Sequence, residues 1–214
     1  MVFCSFYEIT DPIIGTRKAR MVCWFDGDTV HPRWELRGAG CFSGAMQDCV
    51  NEGYNITTGT VSGQFVHLEY GTTCCNSIRH FCDDSSILIG VIRGIATANQ
   101  GSKVGFANDV NSANHISYAG SDTSLQACCF MLQTSSCTAC QFSTVLCVAL
   151  DTNFHVFKMD LQACQACGFI DSACAAATNS CGLPSAKLMP TFTNVTRNTG
   201  AKSSRINYIE AYNT

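Results

Sequence analysis

Apolar residues recur along this chain in short runs with a period near two. Within 154–161 they fall at Phe154, Val156, Phe157, Met159 and Leu161, a mostly alternating pattern that sends one face of a strand into a core. Comparable runs cover 21–25, 33–36, 53–58, 65–70, 87–96, 103–108 and 115–118. Others cover 128–133, 142–149, 168–170, 173–178, 188–193 and 205–211. Clusters of Gly, Asn, Ser and Asp separate them at fairly even intervals, and no amphipathic helix of useful length interrupts the series. This spacing predicts an all-β fold, a sandwich or a barrel. With 4 prolines in the chain, most strands can sit inside a ladder without losing an amide donor. Residues 1–20 lack a clear core pattern and carry the turn signals Asp11-Pro12 and Gly15-Thr16. They read as an N-terminal arm ahead of one domain, residues 21–214, and there is no internal repeat.

The most specific stretch is Asp151-Thr152-Asn153-Phe154-His155, which opens the strand over 154–161. It is followed by Gly168-Phe169-Ile170, the turn Asp171-Ser172 and Leu183-Pro184. This block resembles the laminin G-like branch of the concanavalin A-like lectin and glucanase fold. There an aspartate, an aromatic residue and a histidine open a strand of the form D-x-x-(W/F)-H-x-(F/V)-x-(I/L). The family usually carries an Asp-Gly turn in the next hairpin, where this chain has Asp171-Ser172. The segment from Arg205 to Tyr212 is similar to the family's closing strand. The resemblance runs from Met21 to Thr214 and is strongest after Ile87. It implies an antiparallel β-sandwich of the concanavalin A-like jelly-roll type, and this version is similar to domains of phage and other viral structural proteins.

Sixteen cysteines in 214 residues point to disulfides or metal, because packing alone does not call for so many thiols. Cys137-x-x-Cys140 and Cys164-x-x-Cys167 have the spacing with which two thiolate pairs grip one tetrahedral zinc ion. If the runs 128–133, 142–149, 154–161 and 168–170 form a meander, the turns holding both pairs lie at one end of a sheet. Neighbouring strands are about 4.8 Å apart, so Cys140 and Cys164 would then come within disulfide range as well. Other cysteines, Cys174 and Cys181 among them, are scattered over further turns, and a metal accounts for at most four of the sixteen. A disulfide network that ties loops together, with candidates at Cys137, Cys140, Cys164, Cys167, Cys174 and Cys181, is the favoured reading. Zinc and unpaired buried thiols stay open as alternatives, and connectivity is not legible from spacing.

Charged residues make up 14% of the chain and the net charge is −3, which leaves no electrostatic footprint for nucleic acid. The local cluster Arg17-Lys18-Arg20 reads as a solvated arm. No run reaches the apolar length of a membrane span, and the start of the chain does not read as a secretory signal. The sequons Asn55-Ile56-Thr57 and Asn194-Val195-Thr196 match a pattern that arises often by chance.

Glycan cleavage needs two carboxylates flanking the scissile bond. The five glutamates are Glu8, Glu35, Glu52, Glu69 and Glu210, and none forms the Glu-x-Asp-x-x-Glu strand of the glucanase branch, so no enzyme is expected. His31, His67, His80 and His115 stand outside any motif, and His155 reads as a hydrogen-bonded residue at a strand start. Sugar binding in this fold calls for an aromatic face with Asn or Asp groups that accept hydroxyl hydrogens or hold calcium. Asn108, Asp109, Asn111, Asn114, Tyr118 and Asp122 supply that chemistry in one stretch of loops, although Asn and Asp are also ordinary turn formers.

The resulting expectation is a non-enzymatic structural or adhesive protein with a lectin-like fold, without a cofactor unless calcium occupies those loops. Its implied setting is a virion surface, as a capsid decoration, fibre or spike, or else the extracellular space. Partners would be other assembly proteins, surface glycans and copies of itself, joined through the arm and exposed sheet edges. A secreted carbohydrate-binding module and an extracellular filament subunit are the alternatives.

Overall fold

Where the chain alternates apolar and polar side chains, the computed structural model has a strand that turns one face into a common core. It describes residues 3–10, 17–26, 29–47, 53–70, 86–94, 99–107, 116–122, 129–135, 141–147, 151–162, 165–178 and 188–213. In chain order these hold β1 (Phe3–Thr10), β2 (Arg17–Trp24), β3 (Trp34–Ala39), β4 (Ser43–Gln47), β5 (Gly53–Thr57), β6 (Phe65–Tyr70), β7 (Ser86–Gly94) and β8 (Gln100–Ala107). The second half holds β9 (Ile116–Asp122), β10 (Cys129–Ser135), β11 (Gln141–Cys147), β12 (His155–Gln162), β13 (Gln165–Ile170), β14 (Ala173–Thr178), β15 (Met189–Thr196) and β16 (Ser203–Asn213).

Two antiparallel sheets result, as in a jelly roll. The larger runs β1-β2-β16-β7-β12-β13-β14, with β5 pairing the far end of β16 and β4 pairing β5. The smaller, seven-stranded sheet runs β11-β10-β9-β8-β15-β6-β3. Leu88, Ile92, Phe157, Met159 and Ile209 of the larger sheet face Val66, Leu68, Val104, Phe106 and Phe192 of the smaller one in one continuous core. Phe130 and Phe157 stack across the gap with centroids 6.0 Å apart. Gly90 makes that approach feasible, because a Cβ there would lie 2.6 Å from Val104 Cγ1.

One end of the core is polar. Gln100 Nε2 of β8 donates to Asn194 Oδ1 of β15 at 3.0 Å and to the Ser203 carbonyl of β16 at 2.7 Å, while Ser102 and Ser204 share a hydrogen bond between the sheets. Asn194 Nδ2 donates to the Lys202 carbonyl at 2.7 Å, and the side chain has no exposed surface, so the second sequon is closed to glycosylation in the folded protein.

The expected meander is corrected. β10 and β11 pair with each other in the smaller sheet, but β12 pairs with β7 and β13 in the larger one, so the chain crosses between sheets after β11. Both β11 and β12 alternate well enough to belong to either sheet, and alternation carries no information about which layer a strand joins. The adjacency of β11 and β12 from which the zinc site and a Cys140–Cys164 bridge were argued is therefore absent. Cys137, Cys140, Cys164 and Cys181 lie outside the described residues.

Within the first twenty residues, β1 and the start of β2 form a hairpin on the edge of the larger sheet, and a disulfide joins Cys4 to Cys23. Cys167 and Cys174, expected among the bridges, carry free thiols instead. They lie on adjacent strands but out of register: Cys167 faces Ala177 and Cys174 faces Phe169, a diagonal that does not suit a disulfide.

Candidate functional site

The strand β6 reads Phe65-Val66-His67-Leu68-Glu69-Tyr70, and its alternation sorts it cleanly. Val66, Leu68 and Tyr70 enter the core, so His67 and Glu69 project from the opposite face of the seven-stranded sheet. Register then assembles a polar constellation around them. Thr193 of β15 lies beside His67, and Lys103 of β8 lies beside Thr193. One row on, Glu69, Thr191, Gly105, Tyr118 and Gln133 follow one another across five strands. On the other flank the edge strand β3 sets Arg37 against His67 and Glu35 against Glu69.

These groups face away from the core, yet Glu69, Thr193, Lys103, Tyr118 and His67 are only 0% to 7% exposed. The Thr193 hydroxyl lies 2.6 Å from His67 Nδ1 and also hydrogen-bonds the Tyr118 hydroxyl. Lys103 Nζ donates to Gln133 Oε1 at 3.3 Å. Arg37 contacts both glutamates, Glu35 Oε2 at 3.0 Å and Glu69 Oε2 at 3.8 Å. The side chains of Arg37 and Glu35 are 42% and 44% exposed, so this face opens to solvent along β3.

Burial, helped by the Lys103 charge, lowers the His67 pKa to about 4, and the imidazole is neutral at neutral pH. Burial likewise raises the Tyr118 pKa; the Thr193 hydrogen bond opposes that rise, and the Glu69 charge adds to it. The face thus holds donors at Lys103, Arg37 and the Tyr118 hydroxyl and acceptors at Glu69 and Gln133, engaged with neighbours across the strands. Polar groups held this far from water lose solvation that only hydrogen-bonding partners return.

His155 belongs to a different arrangement. It opens β12, where its Nδ1 lies 2.8 Å from Asp171 Oδ2 and its Nε2 lies 3.1 Å from Asp151 Oδ1. Asp171 Oδ1 accepts the Val156 amide at 2.9 Å, so one carboxylate ties the β13–β14 turn to the start of β12. The aspartate, the histidine and the turn of the sequence motif thus form a structural clasp on an exposed rim.

Among the ligand residues expected from sequence, Tyr118 joins the constellation on the seven-stranded sheet. Asp122 ends β9 in register with Gly101. Asn108, Asp109, Asn111 and Asn114 lie outside the described residues. Among the described residues, no group of three or more His, Cys, Asp or Glu side chains is placed to hold a metal. Sequence reasoning passed over His67, Glu69 and Lys103 because each stands alone in the chain. Their signal was the parity of β6, with ionisable residues on the positions opposite the core-facing ones.

No protein-family model matches the chain, and no characterised protein matches it by sequence. Solved structures do match. Apo Crh5 transglycosylase aligns with a TM-score of 0.61 over 91% of this chain and 84% of its own, at 11% identity. The carbohydrate recognition domain of Emp47p aligns at 0.57 over 89% and 92%, with 11% identity. The catalytic domain of an endo-1,3-β-glucanase (laminarinase) from Thermotoga petrophila RKU-1 aligns at 0.57 over 89% and 95%, with 10% identity. With the two antiparallel layers described above, these likenesses show that the chain has a concanavalin A-like jelly-roll fold.

Proposed function

We propose that this protein binds a saccharide on the outer face of its seven-stranded sheet and does not cleave it. The observation that carries this reading is the buried cluster of Glu69, Thr193, Lys103 and Tyr118 from two adjacent register rows, projecting away from the core and opening to solvent at Arg37 and Glu35. Similarity to a carbohydrate recognition domain supports the ligand class. The test is a glycan array followed by calorimetry on the hits. Glu69→Gln and Lys103→Met are expected to weaken binding at least tenfold, about 1.4 kcal/mol, and Arg37→Ala, which removes a donor of the same face and a contact to Glu69, is expected to weaken it as well. Absence of binding to any glycan, or affinity indifferent to all three changes, would reject the proposal.

A hydrolase or transglycosylase is the second reading, because Glu35 and Glu69 stand directly opposite each other on neighbouring strands. The Arg37 guanidinium contacts both carboxylates, and a cation paired with them holds both ionised and so disfavours the protonated acid that glycoside cleavage needs. An assay for new reducing ends with β-1,3-glucan separates the two readings. A virion or extracellular setting, as the sequence resemblance implies, accords with attachment through glycans; immunogold labelling of purified particles tests it.

A further inference from the structure

The outer face of the larger sheet bears a pattern that a solvated sheet does not require. In β7 both parities are apolar: Leu88, Gly90 and Ile92 turn toward the core, while Ile87, Ile89 and Val91 turn outward. A strand with one wet face should alternate, and one that is apolar on both sides reads as covered on both. The neighbouring strands extend the outward stripe to Trp24 and Val156, which are 45% and 39% exposed.

Register arranges this face symmetrically about β7. One row across five strands reads Val22, Glu210, Ile89, Lys158, Phe169: apolar, acidic, apolar, basic, apolar. The row above it places Tyr208 on one side of Val91 and Val156 on the other. The row below places Tyr212 on one side of Ile87 and Asp160 on the other. A two-fold axis running along β7 exchanges the two flanks. It would set Glu210 against the Lys158 of a second copy, Val22 against Phe169, and Tyr212 against Asp160, while Ile89 meets its own equivalent on the axis.

From this self-complementarity we infer that the chain forms a two-fold dimer with its larger sheets packed face to face. Packed sheets lie about 10 Å apart, a gap that Lys and Glu side chains can bridge from opposite sides. An isologous interface requires one patch to complement itself, which the acid–apolar–base row does. Such a dimer leaves both seven-stranded sheets facing outward, so two ligand faces would act together. The dimer does not depend on what those faces bind.

Sedimentation velocity on the full chain over a concentration series tests the inference, with non-reducing denaturing electrophoresis of the same sample. The expected result is a reversible dimer free of interchain disulfides. Ile89→Lys and Val156→Lys are each expected to raise its dissociation constant at least tenfold, with unchanged circular dichroism and melting temperature. Lys158→Glu should weaken association by bringing like charges together at two symmetric places. Lys158→Glu combined with Glu210→Lys should associate more tightly than either single variant. If Ile89→Lys fails to fold, the exposed Val156→Lys and the charge exchange still decide. A monomer at every concentration, a disulfide-linked dimer, or a dimer indifferent to these substitutions would overturn the inference.

Discussion

Asp171 and Ser172 connect β13 to β14 with φ of 48° and 70°. Positive φ at both positions marks the tight hairpin turn whose twist matches the flanking strands, and a side chain on Cβ opposes that conformation. Asp171 repays its strain through its bonds to Val156 and His155, whereas Ser172 is exposed on the turn. Ser172→Gly is therefore expected to stabilise the protein by roughly 0.5–1 kcal/mol in urea unfolding. The two histidines differ in sign. For His155 burial disfavours the charged form, but Asp171 and Asp151 outweigh it and raise the pKa. The stability it adds is present below 6.5 and is lost as pH rises through the folded-state value. For His67 the lowering from 6.5 to about 4 corresponds to on the order of 3 kcal/mol, present above 6.5 and lost as pH falls toward 4. Unfolding at stepped pH should show Asp171→Asn flattening the upper slope and His67→Gln flattening part of the lower one.

At the scale of elements, the polar end of the core decides how the two layers meet. Asn194 of β15 accepts from Gln100 and donates to the Lys202 carbonyl, so its loss removes two buried hydrogen bonds, although Gln100 keeps the Ser203 carbonyl and the Lys202 carbonyl keeps the Thr58 amide. Asn194→Ala is expected to cost roughly 1–3 kcal/mol by denaturant titration. Fourteen of the described strands match apolar runs legible in the sequence, and β6 and β14 match theirs end to end. β4, Ser43–Gln47, escaped because Ser-Gly-Ala-Met-Gln has neither β-branched residues nor alternation; pairing with β5 and the packing of Met46 against the core hold it. β1 escaped because Phe-Cys-Ser-Phe-Tyr-Glu-Ile-Thr carries apolar residues on both parities, as an edge strand tied by a disulfide can.

For the whole molecule, the Cys4–Cys23 bridge fastens the terminal hairpin across 19 residues of sequence. Closing a loop of that size contributes about 3 kcal/mol in the chain-entropy account. Cys4→Ala with Cys23→Ala is expected to lose that amount and to expose β1 to proteolysis, read as cleavage before the rest of the chain. Among the free thiols of the described residues, native-state alkylation followed by peptide mapping should modify the exposed Cys41 and Cys174 first. Cys167 should follow more slowly, since burial raises its thiol pKa and leaves less thiolate to react.

The sequence alone determined the all-β class, most strand positions and a hydrogen-bonded role for His155 at a strand start, because strands and turns are written in local alternation and local φ preferences; its Asp171 partner came from the pairing of β12 with β13. It also held the residues of the candidate site, yet it could not group them. His67, Lys103, Tyr118 and Thr193 are far apart in the chain, and only cross-strand register makes them neighbours. The same holds for layer assignment: alternation tells a strand which of its faces is buried but not which sheet it joins. That choice belonged to the tertiary structure, which sent β11 and β12 to different layers and gave each outer face its chemistry.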